Sequence, residues 1–512
     1  MSEHPALPKR RVWLRFLVGL CVAALLVIAL PVGAGVFAYS SARIDTSGQV
    51  EFTRALNIPS VAQSTVAADG TREFDLEMRR GRADLGHGPD TETWGINGDY
   101  LGPTIRMNRG EDVRMNVHNE LGETSTLHWH GMHLPAEMDG GPHQMVKPGD
   151  TWKPEWTVNQ PAATLWYHPH LHGFTAEHVY RGLAGIILVD DPDGPALPTD
   201  YGVDDVPVIV QDKKFDGNEL DEEPGMFVNT GILGDEILVN GTPAPYLDVT
   251  TERVRLRLLN ASNARIYDFG FDNGLPFLLV GTDGGLLETP ETLQSIMLSP
   301  GERAEIVVEV PPGTDTVLRS TPPDLGAGFW SDRFGGGSDT LDVMELRAAD
   351  ELEANEEVPD RLSEKVDLGE PERTRTFELD DDREINGQSM DMSRIDEVVT
   401  LGTTEEWEIR NNSGQIHNFH IHDVQFQILG TDDPAMSGPK DTVYIPPGES
   451  VRLLVRFTDY TNPSFPYMYH CHMLRHEDNG MMGQFVVVAP GQELEEPPAA
   501  DHAGHASHGG HR

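Results

Sequence analysis

Cysteine and positive charge are both scarce in this sequence. Of its 512 residues 2 are cysteines, and Cys21 lies in an apolar run near the amino end, so Cys471 has no intramolecular disulfide partner in the rest of the chain. A free thiol outside the cytoplasm needs another role, and metal ligation is the natural one. Lys and Arg number 38 against 83 Asp and Glu, a formal net charge of −45. Because this charge repels phosphates, we expect no nucleic acid partner. The same charge should attract cations to the protein surface.

The amino end carries a basic segment followed by a long apolar run. Lys9-Arg10-Arg11 precedes the run from Phe16 to Tyr39, which is long enough to cross a bilayer as a helix. Positive charge ahead of the run predicts that the rest of the chain is extracytoplasmic, at the cell surface or in the periplasm. We expect residues 1–45 to be an export signal or a membrane anchor. Run length favours the anchor, whereas a cleavage site could end at Ala38 or Ala42. Arg10-Arg11 belongs either to a twin-arginine export signal or to a plain basic flank.

Two turn motifs recur at intervals of about 150 residues, the usual length of one domain. One is Asn-Gly after an aliphatic residue; the other is Pro-Gly followed by an acidic residue. The second kind leads into alternating apolar runs, which predict half-buried strands at 304–310 and 451–457. Three tandem β-sandwich domains follow from this repetition. The motifs stand at Asn97-Gly98, Asn240-Gly241, Asn386-Gly387, Pro148-Gly149-Asp150, Pro300-Gly301-Glu302 and Pro447-Gly448-Glu449.

The segments outside the repeats differ in composition. Ala348 to Arg373 is rich in Glu, Asp and Pro, which predicts an exposed linker. The carboxyl-terminal tail, with a histidine at every third position from His502, either binds copper or a similar cation or is a disordered polar end. The predicted all-β chain then divides into residues 1–45, a first domain 46–192, a second domain 193–350, an acidic linker 351–373, a third domain 374–492 and a His-rich tail 493–512.

Histidines cluster in pairs separated by one residue. In a strand, alternate side chains point to the same face, so each pair aims two imidazoles the same way. In His470-Cys471-His472 the thiol must then project to the face opposite both imidazoles. A thiolate, imidazoles and a weak axial thioether are the ligand set of a blue-copper site. The clusters are His128-Trp129-His130, His168-Pro169-His170, His417-Asn418-Phe419-His420-Ile421-His422, and His470-Cys471-His472 followed by His476 and Met481.

These clusters resemble the four signatures of the multicopper oxidase family, HxHG, HxH, HxxHxH and HCHxxxHxxxxM, in order and at matching spacing. The chain resembles bacterial laccases, copper-efflux oxidases and bilirubin oxidases, and the resemblance is strongest in His476-Glu477-Asp478-Asn479-Gly480-Met481-Met482. The resemblance implies three cupredoxin-like Greek-key domains and four copper ions. It assigns the type 1 copper to His417, Cys471 and His476 with Met481 axial, and the type 2 copper to His128 and His420. It assigns the type 3 pair to His130, His168 and His472 on one ion and to His170, His422 and His470 on the other.

The distribution of the clusters predicts where the copper lies. They occur in the first and third repeats, whereas residues 193–350 contain no histidine. The three-copper cluster is therefore expected between domains one and three, and the middle domain is expected to act as a spacer. Copper that binds only the docked arrangement should stabilise the interface.

The resemblance also implies an activity. Phenols, aromatic amines or low-valent metal ions such as cuprous ion would give single electrons at the type 1 copper, and dioxygen would be reduced to water. Asp139 matches an acidic residue near the type 2 copper of bacterial relatives, and Glu477 matches one beside the cluster. Each is either a proton relay or a solvated loop carboxylate. The chain departs from copper-efflux oxidases because no methionine lies between Met344 and Met390, which leaves copper tolerance and laccase-like oxidation both open. A copper-sequestering protein with incidental oxidase activity is the alternative.

Overall fold

The computed structural model describes residues 9–88, 90–225 and 228–492, and the predicted tail lies outside them. Helix α1 (Lys9–Ser41) covers the apolar run, of which the side chains at 19 and 21–31 are likewise outside the description. Among the described residues, no helix has both the length and the apolarity that crossing a membrane requires. The membrane anchor predicted for residues 1–45 falls largely on residues whose side chains are outside that description, and it stays a prediction. After α1, strand β1 (Arg54–Ala55) pairs in parallel with residues 245–246 of the second domain.

The first domain packs a six-stranded sheet against a four-stranded sheet. Alternation of apolar and polar residues forms its strands: in 112–119, Val113, Met115 and Val117 are buried while their neighbours face outward. Its elements are β2 (Ser64–Val66), β3 (Arg72–Ala83), β4 (Thr91–Ile96), β5 (Ile105–Asn108), β6 (Asp112–Asn119), β7 (His128–His130), β8 (Thr151–Trp152), β9 (Glu155–Thr157), β10 (Ala163–His168), α2 (Thr175–Arg181) and β11 (Gly185–Asp190).

The second domain has sheets of six and seven strands around a core of aliphatic and aromatic side chains. The acidic linker runs along this domain; it is largely exposed, but Leu362 is buried and the Ser363 hydroxyl donates to the Leu287 carbonyl. The elements are β12 (Asp205–Lys213), β13 (Phe215–Asp216), β14 (Glu219–Leu220), β15 (Glu236–Val239), β16 (Thr242–Pro243), β17 (Pro245–Thr251), β18 (Val254–Asn260), β19 (Tyr267–Phe271), β20 (Phe277–Thr282), β21 (Gly285–Leu293), β22 (Ser295–Leu298), β23 (Arg303–Val308), β24 (Asp315–Thr321), α3 (Phe329–Phe334) and β25 (Leu341–Glu353).

The third domain packs a four-stranded sheet against a five-stranded sheet. Phe377, Trp407 and Tyr469 form the aromatic centre of its core, to which Cys471 and Met481 also belong. The elements are β26 (Arg373–Leu379), β27 (Glu397–Thr400), β28 (Thr404–Asn411), β29 (His417–Ile421), β30 (Phe426–Ile428), β31 (Thr442–Ile445), β32 (Ser450–Arg456), β33 (Tyr467–His470), α4 (Leu474–Asp478) and β34 (Met482–Val488).

Candidate metal centre

Four strand ends from two domains carry the predicted metal-binding residues to one place. On β7 and β10 of the first domain His128 lies opposite His168, and on β29 and β33 of the third domain His420 lies opposite His470. Hydrogen-bonded strands set these pairs side by side. The structure leaves at most 1 % of each residue exposed: His128, His130, His168, His170, His417, His420, His422, His470, Cys471, His472, His476 and Met481.

One group of imidazoles converges through its Nε2 atoms. Nε2 of His470 lies 3.0 Å from Nε2 of His170 and 3.2 Å from Nε2 of His422. On the outer side, Nδ1–H of His422 donates to the Asp139 carboxylate at 2.7 Å and Nδ1–H of His470 donates to the Cys471 carbonyl at 3.1 Å. Because a neutral imidazole has one N–H, both inner nitrogens present lone pairs. Two lone pairs that face each other are suited to a shared cation.

Two further imidazoles have a buried ring nitrogen without a hydrogen-bond partner. Nδ1–H of His128 donates to the Asp139 carbonyl at 2.9 Å, and Nδ1–H of His420 donates to the Asp441 carbonyl at 2.8 Å. Nε2 of each ring is then left unpartnered. Both nitrogens of His472 are unpartnered as well. Buried ring nitrogens without a hydrogen-bond partner, in rings such as His128 and His420 whose tautomer is fixed by the other nitrogen, are suited to bind a metal as neutral imidazoles.

The remaining pair of this group is His130 and His168. Nδ1 of His130 and Nε2 of His168 face each other at 3.5 Å. Their other nitrogens donate to the Asp441 carboxylate and to the Pro169 carbonyl. Burial, followed by the neighbouring imidazoles, lowers the pKa of these rings well below the ordinary value, which keeps them neutral. Burial lowers the pKa of the other imidazoles in this group as well, to about 4 for His422 and about 3 for His472. The pKa is lowered well below 6.5 in His130, His168, His170, His420 and His470.

A second centre surrounds the thiol of Cys471. Its Sγ lies 3.5 Å from Nδ1 of His417 and 3.6 Å from Nδ1 of His476, and those two nitrogens are 3.1 Å apart. Nε2–H of His417 donates to the Ser413 hydroxyl and Nε2–H of His476 to the Asn229 carbonyl, so both Nδ1 atoms carry lone pairs. Burial raises the pKa of the thiol to about 12. A metal must therefore displace its proton on binding.

Cys471 joins the two centres. Its sulfur faces His417 and His476, whereas the preceding His470 faces the converging imidazoles. The alternation predicted for this strand is thus observed. The Met481 main chain accepts from the Cys471 N–H at 3.1 Å and donates to the His476 carbonyl, which holds Met481 beside the sulfur centre.

Comparison with known proteins accounts for this geometry. Multicopper oxidase family models match residues 77–194, 209–316 and 357–491, one in each domain. The chain belongs to the multicopper oxidase family. It has three cupredoxin-like domains, and its histidine and cysteine clusters fit the type 1 and trinuclear copper sites. This multicopper oxidase is therefore a copper-dependent oxidoreductase that uses dioxygen.

Its relatives carry several names. The multicopper oxidase mco of Staphylococcus haemolyticus is 35 % identical over 84 % of this chain and 92 % of its own length. The cell division protein FtsP of Escherichia coli is 39 % identical over 80 % of this chain and 91 % of its own. The solved laccase of Pediococcus acidilactici superposes with a TM-score of 0.76 at 34 % identity, over 85 % of this chain and 95 % of that one. These relatives have different functional names, so the evidence for the activity of this oxidase is its own histidine and cysteine clusters.

The two predicted proton-relay carboxyls have opposite surroundings. Burial alone would raise the pKa of Asp139, but the His422 and His128 imidazoles lower it well below its usual range, so Asp139 is a carboxylate. Burial raises the pKa of Glu477 well above the usual range. Its oxygens lie 3.4 Å from Nδ1 of His170 and 3.3 Å from Nδ1 of His470. One acid of this oxidase is thus held ionised and the other protonated.

Sequence reasoning missed three residues that touch the copper-site groups. Asp441 accepts from His130 at 3.0 Å, and Arg303 pairs with Asp441 at 2.6 Å. The Asn418 side-chain Oδ1 accepts from the main-chain N–H of His472 at 2.7 Å and lies 3.6 Å from Cys471 Sγ. Neither Asp441 nor Arg303 belongs to a repeated spacing, so no local signal identifies them. Asn418 stands beside a predicted ligand, which is the only available hint.

The prediction that the middle domain is a spacer is wrong. Asn418 donates to the Ser299 hydroxyl at 3.0 Å and to the Pro300 carbonyl at 2.8 Å. A Cβ placed on Gly301 would lie 3.1 Å from the His472 ring. The Asn229 carbonyl caps His476. The histidine-free domain therefore contacts both copper centres of the oxidase through groups that are not ligands.

Proposed function

We propose that the copper ligands are those given by the family resemblance. His417, Cys471, His476 and Met481 would hold the type 1 copper. Copper there supplies one-electron chemistry, and three copper ions at the shared site supply the four-electron reduction of dioxygen to water. The ligands of the shared site are His128 and His420 for type 2, with His130, His168, His472, His170, His422 and His470 for the type 3 pair.

One observation carries this proposal. The sulfur of Cys471 lies within 3.6 Å of the type 1 imidazoles, while Nε2 of the adjacent His470 lies 3.0 Å from His170 of the other centre. Consecutive residues thus form a covalent path from the site of electron entry to the site of dioxygen reduction. A protein that only stores copper has no need of such a path.

Asp139 and Glu477 have different roles at the shared site. The Asp139 carboxylate accepts Nδ1–H of His422 at 2.7 Å and keeps that imidazole in the tautomer whose Nε2 faces inward. Burial raises the pKa of the Glu477 carboxyl, which therefore holds a proton next to His170 and His470 that it can donate. Glu477 is the proton donor, and Asp139 orients the imidazoles of His422 and His128.

Electron donors are phenols, aromatic amines or low-valent metal ions such as cuprous ion. The net charge of −45 favours cations near the surface. The solved laccase relative favours aromatic donors. The physiological role is accordingly copper tolerance or laccase-like oxidation.

Oxygen uptake by copper-loaded protein separates the donors. A phenol, an aromatic amine, cuprous ion and ferrous ion are supplied in parallel, with Cys471→Ser as the control that lacks the thiolate. We expect uptake with at least one donor, and neither uptake nor blue colour in the control. Full copper loading with no uptake for any donor would refute the oxidase assignment and favour sequestration.

The catalytic part lies outside the cytoplasm. A basic flank precedes α1, and the chain after α1 contains a single cysteine, so an oxidising compartment imposes no disulfide on it. Fusion of a periplasm-dependent reporter after residue 492 tests this location. Reporter activity is expected, and activity only of a cytoplasm-dependent reporter would overturn it.

A further inference from the structure

Arg303 of the middle domain is completely buried and uses all five of its N–H donors. Nε–H donates to the Thr164 carbonyl of the first domain at 3.0 Å. Nη1 donates to the Gly301 carbonyl at 2.9 Å and Nη2 to the Asp283 carbonyl at 2.8 Å, both in the middle domain. The remaining two donors form a forked pair with the Asp441 carboxylate of the third domain, at 2.7 and 2.6 Å. One guanidinium therefore ties three domains together.

Asp441 transmits this arrangement to the trinuclear histidines. Its Oδ1 accepts Nε2–H of His130 at 3.0 Å and the Thr442 hydroxyl at 2.9 Å. Its main-chain carbonyl accepts Nδ1–H of His420 at 2.8 Å. These bonds fix which nitrogen of each ring faces inward, one ring from the first domain and one from the third. Partners of this kind orient metal ligands and strengthen their binding.

The positive charge of Arg303 stabilises the buried Asp441 carboxylate, which can then accept the hydrogen bond from His130. The Asp441 side chain has no exposure, and an isolated carboxylate there would be strongly disfavoured. A planar fork satisfies both carboxylate oxygens and still reaches the carbonyls of two other domains, which an ammonium cannot do.

We propose that Arg303 is a positioning residue for the trinuclear copper centre, which makes the middle domain part of that centre. It acts through Asp441 on His130 and His420. The inference rests on the copper ligands proposed above. Without the guanidinium, the two rings lose their fixed orientation, while the type 1 centre keeps all its own contacts.

The test compares two buried arginines of the same domain. Arg257 is also buried and also bonds to Thr164, but its carboxylate partners, Asp205 and Glu305, do not contact the copper histidines. Arg303→Met and Arg257→Met are loaded with copper and challenged with a chelator. Type 1 copper is followed by its blue absorption, type 2 by electron paramagnetic resonance and the type 3 pair by its near-ultraviolet band.

For Arg303→Met we expect the blue absorption to remain and the affinity for trinuclear copper to fall about 10- to 100-fold. Arg257→Met should lose thermal stability but keep the type 2 signal and the near-ultraviolet band. Equal trinuclear loss in both variants, or full retention in Arg303→Met, would overturn the proposal. If Arg303→Met gives no folded protein, Arg303→Lys replaces it: the charge remains, the same loss is expected, and an unchanged type 2 signal would overturn it. Native protein without blue colour would instead refute the copper assignment itself.

Discussion

Substitution of Gly301 by alanine isolates one contact between the middle domain and His472, a proposed copper ligand. Gly301 has φ +88°, and a Cβ there would lie 3.1 to 3.2 Å from three atoms of the His472 ring. The same Pro-Gly turn occurs in the other two domains, where Gly149 (φ +80°) and Gly448 (φ +79°) have nothing within 4 Å of the Cβ position. The three turns share the backbone conformation and differ in the contact.

The shared conformation sets the background cost. A non-glycine residue in the left-handed region costs about 1–2 kcal/mol, which lowers the melting temperature of a domain of this size by roughly 2–8 °C. All three alanine variants should show it. At Gly301 the His472 ring must also move by a few tenths of an ångström, and displacing a copper ligand that far should weaken trinuclear copper binding about tenfold or more.

The assay is calorimetry together with copper retention against a chelator, with the blue type 1 absorption as the internal reference. Gly149→Ala and Gly448→Ala should lose stability and keep their copper. Gly301→Ala should lose stability and release trinuclear copper preferentially. If Gly301→Ala matches the two controls in copper retention and in its near-ultraviolet band, the contact with His472 does not position the ligand.

Three further substitutions test other parts of the site. Glu477→Gln keeps the shape but removes the proton held near the trinuclear centre, so oxygen uptake should fall about 10²-fold or more while anaerobic reduction of the type 1 copper keeps its rate; an unchanged uptake would contradict the assignment. Asn418→Leu removes an amide oxygen 3.6 Å from the Cys471 sulfur. Because that oxygen disfavours the electron-rich reduced state of the type 1 site, redox titration of the blue band should give a higher reduction potential than in the native protein. A lower potential would contradict this reasoning. Burial would lower the pKa of His133, but Asp423 and Asp459 raise it from 6.5 to about 9. Stability from this pair, up to about 3 kcal/mol, should be fully present below pH 6.5 and lost as pH rises through about 9, and urea unfolding of His133→Gln should lack that loss.

The histidine and cysteine clusters and the threefold repetition were predictable because both are encoded locally. Imidazoles at His128 and His130 share a strand face whatever the strand packs against, and Asn-Gly and Pro-Gly turns require particular backbone angles at Asn97 and Gly149. Such features survive in any tertiary environment. The sequence therefore predicted which residues gather, although not what surrounds them.

Strand β23 shows why the surroundings could not be predicted. Alternation at 304–310 predicted a half-buried strand, yet all six residues of β23 are buried. The Glu305 carboxylate accepts from the Thr164 hydroxyl of the first domain, and Arg303 reaches the third domain. An alternating pattern shows which residues of a strand are polar, and the polar face of a strand is normally exposed to water. In β23 the polar face contacts the first and third domains instead, which is visible only in the folded three-domain structure.

The location of the copper site across two domains follows from the lone pairs. His128 of the first domain and His420 of the third each use Nδ1–H in a bond to a main-chain carbonyl, so each presents an unprotonated Nε2 to the same space, with ligand atoms within 4.8 Å. Burial lowers the pKa of His420 well below its usual value, which disfavours a proton between the two nitrogens, and facing lone pairs oppose docking. A cation turns this repulsion into attraction. Copper bound by imidazoles of both domains should therefore stabilise their docking. The Arg303 bonds to Thr164 of the first domain and Asp441 of the third supply attraction that needs no metal.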